Sequence, residues 1–131
     1  MLTDLLKEQE LISEMGPALA KHQFILYLQP QYDYATNTMT GAEALVRWNH
    51  PEKGLIPPGL FIPIFENNGF ICKLDLYVWE EACKLLRKWK DQGLNPVPIS
   101  VNISRRDIYN QNLATIFDNL MKTYNLDPKM L

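Results

Sequence analysis

Glu43 and Arg47 stand two pleats apart in an otherwise apolar run, Gly41-Ala42-Glu43-Ala44-Leu45-Val46-Arg47-Trp48. Read as a strand, the run alternates faces with a period of two, so Gly41, Glu43, Leu45 and Arg47 point one way while Ala42, Ala44, Val46 and Trp48 point the other. Buried charges persist when paired with each other, with a metal or with a ligand, so an ordinary ion pair or a solvated strand face would also account for this pattern. A functional floor is favoured by the company the run keeps. Phe24-Ile25-Leu26-Tyr27-Leu28-Gln29-Pro30 ends in a polar Gln29, and Ile99-Ser100-Val101-Asn102-Ile103-Ser104 turns Ser100, Asn102 and Ser104 away from Ile99, Val101 and Ile103. In helix-covered sheets, and above all in (β/α)8 barrels, ligands bind where polar side chains leave strand ends. Glu43 and Asn102 would offer one carboxylate and one amide oxygen there, which is two donors and not a complete metal site.

The elements that must position these residues follow in chain order. Residues 1–22 read as helix, with Leu5, Leu6, Ile12, Met15 and Leu19 as an apolar stripe. Pro17 predicts a break and the start of a second helix, because an interior proline costs about 3 kcal/mol. Strands are expected at 24–33 and 39–48. The short stretch 34–38 cannot span a parallel crossover, so the two form an antiparallel hairpin turning near Asn37, with Gln29 opposite Glu43 to within a residue. Residues 48–58 read as loop. His50 reads there as a loop histidine, since no neighbouring His, Cys or carboxylate pattern supports a metal site.

A short helix is expected over 60–66, with Pro58 near its start. The clearest helix is 73–92, with Leu74, Val78, Ala82, Leu85 and Trp89 as its core stripe and Gly93 as its stop. A third strand follows at 99–104. Ser104-Arg105-Arg106-Asp107 then reads as a capping box opening a helix that buries Ile108, Leu113, Ile116, Phe117, Leu120 and Tyr124 and stops at Asn125-Leu126-Asp127-Pro128.

Five stretches resemble, in order and spacing, the EAL domain family: Tyr27-Leu28-Gln29-Pro30, the run from Gly41 through Pro51, Gly54-Leu55-Ile56-Pro57-Pro58, Phe61-Ile62-Pro63 with Glu66, and Ser100 through Ser104. The resemblance implies an α/β fold, the N-terminal half of an EAL-type (β/α)8 TIM-like barrel with an antiparallel first strand. It divides the chain into a connector helix at 1–22 and a partial EAL domain at 23–131. It also implies bacterial cyclic di-GMP signalling, with hydrolysis of cyclic di-GMP to linear pGpG assisted by Mg²⁺ or Mn²⁺. Glu43 and Asn102 would then be catalytic metal ligands. Gln29, Leu45 and Arg47 would hold the substrate, Arg47 by clamping a phosphate with its planar fork of donors.

Glu66 occupies the family's usual glutamate position and reads as structural. Glu66, Asp75, Glu80 and Glu81 read as helix residues in the wrong layer for the site. The family's remaining acidic ligands and its lysine have no counterpart in this sequence, so the isolated chain is expected to be inactive. The alternative is a non-catalytic EAL domain acting as a cyclic di-GMP receptor or protein-interaction module. The leading helix resembles the connector to an upstream GGDEF or sensor domain, and the open sheet edges predict self-association.

Composition agrees with a globular domain. The 131 residues are 47% hydrophobic and 21% charged, with a formal net charge of −2. That balance offers no electrostatic footprint for duplex nucleic acid, so a phosphate ligand needs a local site. No apolar run is long enough for a membrane span, and the start lacks the pattern of a signal peptide, which predicts a cytoplasmic protein. Cys72 and Cys83, if on one helix, lie roughly 16 Å apart, beyond disulfide reach.

Overall fold

Side-chain alternation over two long strands builds the floor of the molecule. In the computed structural model, which describes residues 2–110 and 112–131, β1 (Phe24–Asp33) and β2 (Thr38–His50) form an antiparallel hairpin. Asn37 takes the left-handed conformation in the turn, with φ 53°, a conformation asparagine tolerates better than most side chains. The register places Gln29 directly opposite Glu43, and a bulge between Gln31 and Tyr32 absorbs the one irregularity.

The second edge of β2 has two partners at different heights. β3 (Gly54–Ile56) runs antiparallel beside Trp48, Asn49 and His50, while β4 (Ile99–Ser100) runs parallel beside Ala42 and Glu43. The parallel step from β2 to β4 is made through α2 (Pro58–Asn68) and α3 (Ile71–Asp91). The fold is therefore mixed α/β with an antiparallel first strand, as the sequence predicts.

One face of the hairpin carries the core. Phe24 and Trp48 are fully buried with Phe61 and Phe65 of α2 and Leu74 and Trp79 of α3. The Phe24 and Trp48 rings lie 5.0 Å apart and those of Phe61 and Phe65 5.4 Å apart, tilted as aromatic quadrupoles prefer. Each such side chain contributes about 2–3 kcal/mol of burial. The indole Nε1 of Trp48 donates to Gln23 Oε1 at 3.1 Å, so this polar group is satisfied inside the core.

Several expectations are corrected. The helix α1 (Leu2–Ala20) runs through Pro17 without a break. Pro17 falls in the last turn, where it deletes a single hydrogen bond, and its own carbonyl still accepts from Lys21 N at 3.0 Å. Met1, the first residue of the expected 1–22 helix, lies outside the described residues. Leu11 and Ala18 of α1 join the core and Met15 and Leu19 pack against it, whereas Leu5 and Leu6 are exposed.

The expected loop 48–58 instead contains the last residues of β2 and all of β3, and His50 is buried. The third strand contracts to Ile99–Ser100, and Ile103, expected on the core side, is exposed. The helix expected after Ser104 is two helices, α4 (Arg105–Asn110) and α5 (Leu113–Tyr124). Ile108 is 60% exposed. Asn112 caps α5 by accepting from Thr115 N, and Asn125 ends it in the left-handed region. The stop of α3 at Gly93, φ 78°, is as expected.

Candidate functional site

Cross-strand partners share a face, so the side of the hairpin opposite the core carries Gln31, Gln29, Tyr27 and Ile25 from β1 beside Gly41, Glu43, Leu45 and Arg47 from β2. Gln29 and Glu43 are therefore neighbours. Glu43 is half-buried, and among the described residues it forms no ion pair. Arg47 leaves Glu43 alone as well. Its Nη1 donates to the Val46 carbonyl at 3.0 Å, and its Cζ lies 5.6 Å from the centre of the Tyr27 ring. The pair on β2 is thus no structural ion pair.

Asn102 reaches the site from the other direction. The β2–β4 ladder puts Ser100 beside Glu43, and Asn102 follows two residues later, exposed. A cavity of about 270 Å³ is lined by Leu45 and Arg47 of β2 and by Asn102 and Ser104 beyond β4. Leu45, Arg47 and Asn102 are thereby brought to one cleft. Glu43 and Gln29 sit along the same sheet face but do not line that cleft.

Two carboxylates that sequence reasoning set aside reach it too: Glu66 of α2 and Asp75 of α3 line the same cavity. For Glu66 and Asp75 the expectation of a wrong layer is corrected: α2 and α3 bring them to the cavity at the strand ends. Burial, and then the hydrogen bond and charge of Asp107, push the Asp75 carboxyl up to about 8. Asp107 is fully buried; its carboxylate accepts from Ser104 N at 3.0 Å while its own N–H donates to Ser104 Oγ at 3.3 Å, the capping box the sequence predicts, and Ser104 Oγ–H adds a bond to the carboxylate at 2.9 Å. Burial and the neighbouring Asp107 thus favour the protonated form of Asp75. Asp75 Oδ2 is buried without a hydrogen-bond partner. Tyr27, half-exposed opposite Leu45 on the face away from the core, was likewise missed, since an aromatic residue in an apolar strand gives no signal of its own.

The donor set answers the question of a metal in part. Glu43 supplies a carboxylate with no competing cation and Asn102 an amide oxygen, both hard donors suited to Mg²⁺ or Mn²⁺. Among the described residues no three His, Cys, Asp or Glu side chains cluster tightly enough to hold a metal. These residues fit as part of such a site and do not complete it.

Residues 13–131 match the model of the EAL domain. The chain belongs to the EAL domain family. The bifunctional diguanylate cyclase/cyclic di-GMP phosphodiesterase MucR of Pseudomonas aeruginosa is 34% identical over 125 residues, 95% of this chain and 18% of that protein. Signaling protein YkoW of Bacillus subtilis is 35% identical over 123 residues, 94% of this chain and 15% of that protein. A solved structure of the MucR phosphodiesterase in complex with c-di-GMP superposes with a TM-score of 0.86 at 35% identity, covering 93% of this chain and 49% of the solved one. The EAL chain described here thus spans less than a fifth of these curated relatives and about half of a solved EAL structure. Its fold is part of the EAL barrel, with an antiparallel first pair of strands.

Proposed function

We propose that this EAL segment is the half of a cyclic di-GMP phosphodiesterase that contributes Glu43, Arg47 and Asn102 to the site, and that hydrolysis to linear pGpG requires the longer protein. The observation that carries this reading is the placement of Glu43, unpaired by any cation among the described residues, directly across from Gln29 on the face that also bears Leu45 and Arg47. A half-buried carboxylate with no cationic partner is costly unless a ligand or metal meets it.

Glu43 and Asn102 would hold Mg²⁺ or Mn²⁺, which when bound supplies an activated water and neutralises charge on the phosphate. Arg47 presents its fork of N–H groups to a phosphate oxygen, and Tyr27 steadies the guanidinium from below. Gln29 and Leu45 line the floor beneath the dinucleotide and orient it. A receptor that binds cyclic di-GMP without hydrolysis is the second reading.

The test is to assay the full-length protein and residues 1–131 side by side with Mg²⁺ and cyclic di-GMP. Turnover by the full-length protein alone supports the reading. Binding without turnover by the full-length protein replaces it with the receptor, and turnover by residues 1–131 overturns the assignment of this chain as half a site.

Two further properties belong to the same reading. No helix among the described residues is long and apolar enough to cross a membrane, in keeping with a cytoplasmic domain joined through α1 to an upstream GGDEF or sensor module. The outer edge of β1 has no strand partner among the described residues, so the isolated chain self-associates through that edge. Light scattering showing a clean monomer at high concentration would count against this.

A further inference from the structure

The segment that carries Asn102 has almost no sheet to hold it. The ladder to β2 ends at Ser100, and residues 101–104 pair with no strand among the described residues. A donor to a metal must nevertheless be held in place, since loose ligand geometry costs affinity. Two side chains of α3 one helical turn apart stand against it. The Nε1 of Trp79 donates to the Asn102 carbonyl at 3.0 Å, and Asp75 lies against the Ser104–Asp107 capping box immediately beyond. Trp79 is fully buried, its ring 4.7 Å from that of Phe117 in α5, so the donor has no room to follow a moving strand.

We infer that Trp79 is a positioning residue: by pinning the peptide group of Asn102 to α3, it fixes the direction in which the Asn102 side chain meets the metal and substrate. This rests on the reading of Asn102 as a metal ligand. The indole N–H does what the missing ladder would do. Its bond fixes the peptide plane after Asn102, and with the capping box holding Ser104 the backbone on the C-terminal side of Asn102 has little freedom left. The inference concerns the hydrogen bond and not the bulk of the ring, which separates it from an ordinary core role.

The experiment uses the full-length protein with Trp79→Phe, which keeps an aromatic ring but removes the N–H together with the volume of the second ring, so that a packing loss would show as exchange raised throughout the domain. Two readouts are taken: amide hydrogen exchange of residues 100–106, which needs no metal, and Mn²⁺ binding by calorimetry without substrate. Expected are faster exchange confined to that segment and roughly fivefold weaker Mn²⁺ binding, the value of one neutral hydrogen bond. In an Asn102→Ala background the same substitution should weaken Mn²⁺ binding no further.

Unchanged exchange at 100–106, exchange raised throughout the domain, or an equal Mn²⁺ loss in both backgrounds would overturn the inference. Should Trp79→Phe fail to fold, Ser104→Ala tests the other half of the clamp by the same two readouts. A wild-type protein that binds no Mn²⁺ sinks the metal reading of Asn102, while the exchange data still decide whether Trp79 pins the segment.

Discussion

Gln29 and Glu43 face each other across the β1–β2 ladder, and no cation among the described residues neutralises Glu43. That relationship separates function from stability at this position. Folding gains nothing from the charge, so Glu43→Gln, which keeps shape and a carbonyl oxygen, should leave the thermal midpoint of the full-length protein unchanged or slightly raised. On the proposed reading, turnover of cyclic di-GMP should fall by roughly a hundredfold or more, because the carboxylate would help hold the metal that activates water. A melting curve and a turnover assay on one preparation decide it. A large loss of stability would mean that Glu43 is structural.

Asp75 gives a pH signature. Its carboxyl is raised from the usual range to about 8 by burial first and Asp107 second. Between about pH 4 and 8 the folded protein holds a proton that the unfolded chain has released, so stability falls as pH rises through that window and levels off above it. Asp75→Asn keeps a donor toward Asp107 without any proton to lose. Urea melts should therefore find the variant matched to wild type near pH 4–5 and more stable at pH 8, by roughly 1 kcal/mol after discounting for solvent that still reaches the pair. A constant difference at all pH values would remove the raised Asp75 carboxyl from the account.

How much of this was legible in the sequence depends on how far apart the partners lie. The pairing of Gln29 with Glu43 follows from a period of two and a turn too short for anything but a hairpin, both local facts. The Ser104–Asp107 box is local as well. His50 was unreadable because its partner Glu14 is 36 residues away on a helix whose docking no local rule supplies. Asp75 failed for a related reason: periodicity says that it sits on α3 but not which strand end that turn of the helix will meet. Pro17 misled because propensity counts the lost bond without asking whether it falls in a last turn, where the loss is smallest.

His50 carries a stability prediction of its own. Its Nδ1 accepts from the backbone N–H groups of Glu52 and Lys53, each at 3.1 Å, so Nε2 is the nitrogen that donates to Glu14. The ring holds the β2–β3 turn and latches α1 to it, helped by Lys53 and Glu10 at 3.0 Å. His50→Ala should cost about 2–3 kcal/mol, a buried ring and three hydrogen bonds lost together. Glu14→Gln, whose amide oxygen still accepts, should cost under about 0.5 kcal/mol. Denaturant titration of both variants checks the contrast, and equal costs would assign the energy to charge instead of to the donor.

Gly41 sets the distance between the two strands that carry the site. Ala42 N donates to the Pro98 carbonyl at 2.9 Å, and a Cβ added at Gly41 would stand 3.2 Å from that same carbonyl oxygen and 3.2 Å from Gln31 Oε1. Gln31 is a side chain that can swing aside, but Pro98 O is backbone and cannot yield without moving the approach to β4. Gly41→Ala should therefore shift β4 outward along β2 by a few tenths of an ångström, and Asn102 with it, at a cost in stability of about 1 kcal/mol. The effect on the site should exceed the effect on the fold, because Glu43 sits on β2 and Asn102 two residues beyond β4, the two strands being separated. Mn²⁺ affinity of the full-length protein should drop several-fold while a substitution at solvent-open Gly59 to Ala leaves it alone. Calorimetry on the two variants tests this, and equal affinities would show that the spacing of β2 and β4 does not govern how Glu43 and Asn102 act together.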